Sequence, residues 1–350
     1  MHVRSIPSVA IMLFITMMMF ATGVKAAPIK VICSTDNPEN SLHVFALKKF
    51  AGLLHDYSGG ELQAEVHYRG NKQYPALRGE EVNVNMLMST SSRARKELHV
   101  SVMAVGNAAQ KVEPLGFLML PYLFNDMESA KQLFGSDFMM RELNDKIASR
   151  YRVRALGWLI GGFRHMTNSV RPVTTLADIE GLKIRLPTSR IMVSTYKALG
   201  ADVKPISWSQ VPDALKGGVI DGQENPYNVI VYSRFWELGQ KYVTNNGPFL
   251  WTGPILVSEA FYTSLTESQQ AAMMKAGAEA ARLEWDWIAQ QNQDLQQKLL
   301  DHGVQIDDLE DKPEWVSRSR PVWEQQYELI GAGDAAAGKA LVDMALEQMR

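Results

Sequence analysis

Arg185 alternates with Ile184 and Leu186 in the run Leu182-Lys183-Ile184-Arg185-Leu186. A period of two is the strand period, so if the apolar neighbours face a core, Arg185 faces the other side. Pro187 ends the run because it has no N–H for a ladder. That leaves Arg185 close to a strand's carboxyl end, the place where open α/β sheets bind ligands. A guanidinium offers a planar fork of donors that matches a carboxylate. The spacing alone supports two readings equally: a grip for an organic anion, or an ordinary exposed strand arginine. Arg171 and Arg190 are nearby alternatives, each with a plain surface reading.

Covalent chemistry has no comparable support. The chain has no P-loop, no G-x-S-x-G elbow and no H-E-x-x-H helix. Its seven histidines are scattered without ligand spacing, so neither a metal nor a cofactor is expected. Asp221 and Glu224 could be drawn as an acid/base pair. They stand three apart in an extended turn, which sends their side chains in different directions. A structural role for both is the stronger reading. Cys33 is the single cysteine, expected as a small buried thiol in the first strand.

The elements that must hold Arg185 are legible around it. After Pro187, residues Ile191, Val193, Ser194, Tyr196 and Leu199 recur at helical spacing up to Gly200. Ser207 caps a second short helix, which stops at Gly217-Gly218. Val219 to Pro226 reads as strand and turn. Upstream, Ile29–Cys33 reads as a strand, Ser34 to Ser41 as a polar turn, Leu42–Tyr57 as a helix and Leu62–Tyr68 as a strand. Strand, helix, strand predicts a parallel sheet with right-handed crossovers. Gly70 to Leu98 has no clear pattern, and Arg93, Arg95 and Lys96 read as a solvated helix face. His99–Val105 and Tyr151–Ile160 are further strands, the latter broken at Gly161-Gly162 before Phe163–Asn168 resumes. Asn125 or Asp126 caps a helix from Met127. Pro254 marks an edge or bend in the strand Pro248–Val257. Thr266 to His302 keeps a helical pattern for about ten turns, as one helix or as two with a break near Gln290; a single helix would be too long for one lobe at 1.5 Å per residue. It opens on a capping-box spacing, Thr266 and Gln269. Lys312 to Arg350 adds more helix.

Residues 1–26 predict a cleaved signal peptide: His2 and Arg4, an apolar run from Val9 to Ala21, then Val24-Lys25-Ala26 before Ala27. The apolar run is too short to span a membrane, and no later run is long enough either. The expectation is an exported, periplasmic protein. The chain carries 36 Lys and Arg against 38 Asp and Glu. Losing Arg4 and Lys25 and no acid leaves 34 bases against 38 acids, a net of −4. Nucleic acid is a poor partner for such a chain. The remaining 324 of 350 residues exceed one ordinary core and suggest two lobes.

The segments GLKIRLP, ALGADVKPISWSQVPDALKGGVIDGQENP and VIVYSRFWELGQKYVTNN resemble the solute-binding proteins of TRAP transporters, periplasmic receptors for organic acids. GWLIGGFRHMTNSVRPVTTLADIEGLKIR and MLPYLFNDMESAKQLF are similar to that family too. The likeness covers most of the chain after residue 26. It is most specific between Gly157 and Asn246, and the first 110 residues match in outline only.

The resemblance implies an α/β, two-lobed periplasmic binding protein fold with hinge strands and a long helix spanning both lobes. Lobe one would be 27–161 plus 252–290, and lobe two 162–251 plus 291–350, hinged near Gly247–Ser258. It implies that Arg185 grips the substrate carboxylate, that Arg164 assists, and that Asn225 donates nearby. Trp208, where relatives commonly have Phe, and Tyr227 fall at pocket-lining positions. Asp36, Asn37 and Asn107, after strands of the first lobe, would form the facing wall. Trp158, Phe163, Phe249 and Trp251 come from segments that can approach the same cleft. The expected partners are a small organic anion and the membrane-embedded TRAP permease, with the receptor acting as a monomer. A bulky or aromatic carboxylate suits the flat walls of Trp208 and Tyr227. A C4-dicarboxylate, a cationic headgroup facing Asp36, an exported enzyme and a receptor feeding a sensor kinase are the competing readings.

Overall fold

The computed structural model describes residues 27–350 apart from Gln293; the expected signal peptide lies outside the described residues. Nine strands form one mixed sheet: β1 (Ile29–Pro38), β2 (Leu62–Arg69), β3 (Val100–Val102), β4 (Val153–Asn168), β5 (Lys183–Leu186), β6 (Asp202–Pro205), β7 (Gly222–Pro226), β8 (Tyr242–Ser258) and β9 (Gln305–Asp308). Their order is β2-β1-β3-β8-β4-β7-β5-β6, with β9 also pairing β8. β1 pairs in parallel with β2 and β3, and β5 with β6 and β7, as strand–helix–strand units require. The helix Leu42–Tyr57 forms where its periodicity predicts. The Ser41 hydroxyl caps it by accepting from Val44 N, and Gly59 and Gly60 follow its end at positive φ.

The two halves of the sheet are joined by β4 and β8, antiparallel strands of 16 and 17 residues. At about 3.4 Å per residue each is long enough to cross the whole molecule. The expected break at Gly161-Gly162 does not occur. β4 runs through it with a register shift between Ile160 and Gly162, the irregularity of a bulge, and Gly162 takes a φ of 100°. Gly161 is required by close approach, since a Cβ there would lie 2.8 Å from the Trp251 ring. Pro254 also departs from expectation. It stands opposite Trp158 inside a central strand, not at an edge. On the other flank β3 ends opposite Ile255, so the missing N–H leaves no ladder bond unmade there.

Three further expectations change. β1 continues past Cys33 to Pro38, because its pairing with β2 extends through Ser34 and resumes at Pro38. The strand expected over His99–Val105 shortens to Val100–Val102, and Val105–Ala108 turns into helix. The single long helix expected over Thr266–His302 is two, Glu267–Asn292 and Leu295–Asp301. The capping box at Thr266 and Gln269 forms as spaced. The 26-residue helix packs along the helix Leu42–Tyr57 and β4, and reaches the helix Tyr227–Tyr232. It crosses β4 where Gly277 meets Gly157; a Cβ on Gly157 would sit 2.4 Å from the Gly277 oxygen. The patternless segment after Gly70 holds the helix Glu80–Met88, and Arg93, Arg95 and Lys96 are exposed as expected. Cys33 is a buried free thiol.

Glu284 lies fully buried where the 26-residue helix faces β4. Its Oε2 accepts from Ile160 N at 3.1 Å, and its Oε1 has no partner. Burial raises its pKa well above the ordinary carboxylate range, so the folded state favours the neutral acid. An unfolded glutamate ionises near about pH 4.3. The contribution of Glu284 to stability is therefore fully present below that value and is lost as pH rises above it toward the raised folded-state pKa. Glu284→Gln keeps the acceptor for Ile160 N and removes the ionisation. Its urea midpoint is expected to exceed that of the wild type at pH 7.5 by a margin of about 1 kcal/mol or more. The margin should shrink as pH falls toward 4.5; a difference that does not change with pH would contradict this account.

Candidate ligand-binding cleft

β5 is only four residues long, and its two apolar positions, Ile184 and Leu186, are fully buried. Arg185, between them, is 3 % exposed. The exposed-arginine reading therefore fails: the other face of the strand is covered as well. The Nε of Arg185 donates to the Ile206 carbonyl at 2.8 Å, and the Trp208 ring centroid lies 5.7 Å from its Cζ. No carboxylate among the described residues makes an ion pair with it. Burial pulls its pKa down to about 9, with Glu224 opposing that shift and Arg164 adding to it. The group stays cationic at neutral pH, and the residue lines a cleft of about 230 Å³.

Arg164 comes from β4, whose register sets it opposite Pro226 of β7. It is 5 % exposed, and its charge is already answered. Its Nε and Nη2 grip the two oxygens of the fully buried Glu224, the second at 2.7 Å. Nη2 also donates to the Glu224 carbonyl at 2.9 Å and to Asn225 Oδ1 at 3.0 Å. Burial raises the Glu224 pKa and the adjoining guanidinium pulls it back. Asp221 Oδ2 accepts from Lys183 N at 2.9 Å. Both acids thus hold the scaffold together. Asn225 lines the cleft beside Arg164, its Nδ2 donating to Gln223.

Trp208 follows Ser207 in a single 3-10 turn, packs edge-on to Phe235 and lines the cleft. Ser207 makes no side-chain cap. Tyr227 is turned away from the cleft: its hydroxyl donates to Asn245 and its ring lies 4.7 Å from His165. The reason is helical phase. Val229 and Tyr232, three apart on the helix Tyr227–Tyr232, share the face that lines the cleft, and Tyr227 lies on another. Trp251 reaches the cleft from β8. Trp158 stacks on Phe134 and Phe249 lies beside Tyr196, both in the core; Phe163 is not among the lining residues. Arg171 is held by the carbonyls of Asp178 and Glu180, and Arg190 is exposed away from the cleft.

The facing wall is built from the end of β1, from Gly79–Val82 and from Ala104–Asn107. Asp36 lines it, paired with Arg69 at 3.1 Å. Asn107 lines it from the short helix after β3 and donates to Glu80 Oε2 at 2.8 Å. Sequence reasoning missed Glu80, His43 and Tyr232. For Glu80 one signal was present: Gly79 followed by two acids opening an apolar run is a helix start. The walls also touch directly, through Gln110 Nε2 donating to Thr188 Oγ1 at 2.8 Å. Among the described residues no group of three His, Cys, Asp or Glu is arranged to hold a metal.

Residues 33–329 match the family described as bacterial extracellular solute-binding protein, family 7. A solute-binding protein of Verminephrobacter eiseniae is 28% identical over 336 residues, covering 94% of this chain and 90% of its own. The 2,3-diketo-L-gulonate-binding periplasmic protein YiaO of Escherichia coli is 29% identical, covering 76% of this chain and 77% of its own. A TRAP periplasmic solute-binding protein of Rhodobacter sphaeroides, crystallised in an open apo form, superimposes with a TM-score of 0.75. It is 29% identical and covers 91% of this chain and 98% of that structure. The chain therefore belongs to family 7 of the bacterial extracellular solute-binding proteins, with the two-lobed fold of the TRAP transporter receptors.

Proposed function

We propose that this protein is a periplasmic receptor that captures a small organic acid on Arg185 and delivers it to a TRAP permease. The observation that carries the reading is a cation 97% removed from solvent, in a cleft, with no carboxylate in contact. A buried charge without a partner is costly, and a ligand carboxylate docked on the fork offsets that cost with charge-assisted hydrogen bonds. Arg164 keeps Nη1 free of protein partners and supplies a further donor without adding net charge, because Glu224 balances it. Asn225, fixed by Arg164, stands beside the same anion.

A cleft of about 230 Å³ has room for a small organic molecule. Trp208, Tyr232 and Trp251 give it flat apolar walls, which favour a bulky acid with a ring face over a slender one. A second carboxylate of a C4-dicarboxylate would need its own donors, and the facing wall carries Asp36, Glu80 and Glu81 instead. We assign lobe one to 27–161 plus 252–290 and lobe two to 162–251 plus 291–350. The register shift at Ile160–Gly162 in β4 falls at that boundary.

Arg185→Ala is expected to abolish measurable binding. Arg185→Lys keeps the charge but loses the fork, and should cost about 2 kcal/mol, roughly 30-fold in Kd. Calorimetry with the tightest acid found for the wild type decides this; unchanged affinity in Arg185→Ala ends the reading. A thermal-shift screen finds that acid. Ligand at about 100 times its Kd adds about 2.7 kcal/mol to the folded state, so a few organic acids should raise Tm clearly. Amines and neutral sugars should not, and a neutral sugar as the only hit would refute the anion claim.

A further inference from the structure

The cleft has a second largely buried ionisable group, on the wall opposite Arg185: burial raises the pKa of Glu80, and hydrogen bonds from Asn107, Ala104 and Asn37 hold it back. Glu80 opens the helix Glu80–Met88 and its side chain is 13% exposed. Oε1 accepts from Asn37 Nδ2 at 2.9 Å; Oε2 accepts from Ala104 N at 3.0 Å and Asn107 Nδ2 at 2.8 Å. All three donors are neutral N–H groups. His43 Nε2 lies 3.5 Å from Oε1, but burial holds the His43 pKa at about 3, so the ring supplies no counter-charge at neutral pH. A carboxylate has about four acceptor sites. Three are filled by protein and one remains.

The neighbours sharpen the point. Asn37 and Asn107 both direct their amide nitrogens at Glu80, and rotating either amide would set its oxygen against a carboxylate. Asn37 spends both its N–H groups, on Thr35 and Glu80, and has its oxygen left to offer; Asn107 keeps its oxygen and one N–H. Asp36 beside them is an acceptor as well. One wall of the cleft therefore donates, through Arg185, and the other presents mainly acceptors, three of them carboxylates.

We propose that Glu80 is a specificity-determining residue, which accepts a hydrogen bond from a hydroxyl on the end of the ligand remote from its carboxylate and turns away unhydroxylated dicarboxylates. This rests on the reading that the carboxylate sits on Arg185. The discrimination follows from charge and donor count. A distal hydroxyl fills the open site on Glu80, whereas a distal carboxylate brings like charge to a buried acid and leaves its own oxygens without donors.

The test is competition binding with acids matched in length. Threonate and gluconate represent the hydroxy acids, succinate and adipate the dicarboxylates, 4-aminobutanoate and 6-aminohexanoate the amino acids. In the wild type the hydroxy acid should bind at least tenfold tighter than the dicarboxylate of its length. In Glu80→Gln that ratio should fall at least tenfold, while Glu128→Gln, an exposed acid outside the cleft, leaves it unchanged. The melting curve of unliganded Glu80→Gln shows whether the fold survives; if it does not, the wild-type ranking decides. A dicarboxylate or amino acid that outranks the hydroxy acid at both lengths overturns the proposal and leaves the anion receptor standing. So does an unchanged ratio in folded Glu80→Gln. If no acid of any kind binds, the Arg185 reading itself fails.

Discussion

An arginine buried at 3% exposure that makes no ion pair among the described residues is the constraint around which this cleft is arranged. Desolvation is the largest of the influences that leave its pKa at about 9, a sign of how poorly water reaches it. What the protein supplies is modest: one backbone carbonyl, from Ile206, and one aromatic face, from Trp208. Both come from the segment that follows β6, and β6 pairs with β5 residue for residue from Lys183 to Leu186. The parallel pair thus sets the arginine and its two supports in one piece. Rigid placement matters here, because a bidentate fork tolerates little misalignment.

The second arginine shows the contrast. Arg164 and Glu224 occupy neighbouring strands, β4 and β7, and neutralise each other completely out of solvent. Breaking such a pair from either side would leave a bare charge in the interior. The pair orients Asn225 and offers direction without net charge. One guanidinium is satisfied by the fold and the other is left for something outside it, and this asymmetry separates scaffold from site.

Long strands carry both halves of the molecule, and glycines make their packing possible. β4 and β8 pair over nearly their whole length, and the 26-residue helix lies on β4 only because Gly157 and Gly277 allow backbone contact. Elements with strong local signals were legible in advance: the Leu42–Tyr57 helix with its Ser41 cap, the β5 run ended by Pro187, the capping box at Thr266. The errors fall where a neighbour overrules a local rule. Gly161-Gly162 reads as a break, yet sheet pairing on both sides carries the strand through. Pro254 reads as an edge, yet β3 stops where its N–H would be missed.

By itself the sequence determined the strand alternation that aims Arg185, the export-type leader pattern, and the family likeness concentrated between Gly157 and Asn246. Those are local in the chain, written in the order of side chains and in the residues that end each element. Tertiary structure decided which of the named residues share a cleft. Tyr227 and Tyr232 differ by helical phase, and only the docking of that helix says which one faces the cleft. Glu80 stands 105 residues from Arg185 in a stretch without readable pattern. Its three donors come from Asn37, Ala104 and Asn107, so its surroundings arise only when distant segments pack. Burial, and with it the cost of a charge, is a property of that packing and not of the order of residues.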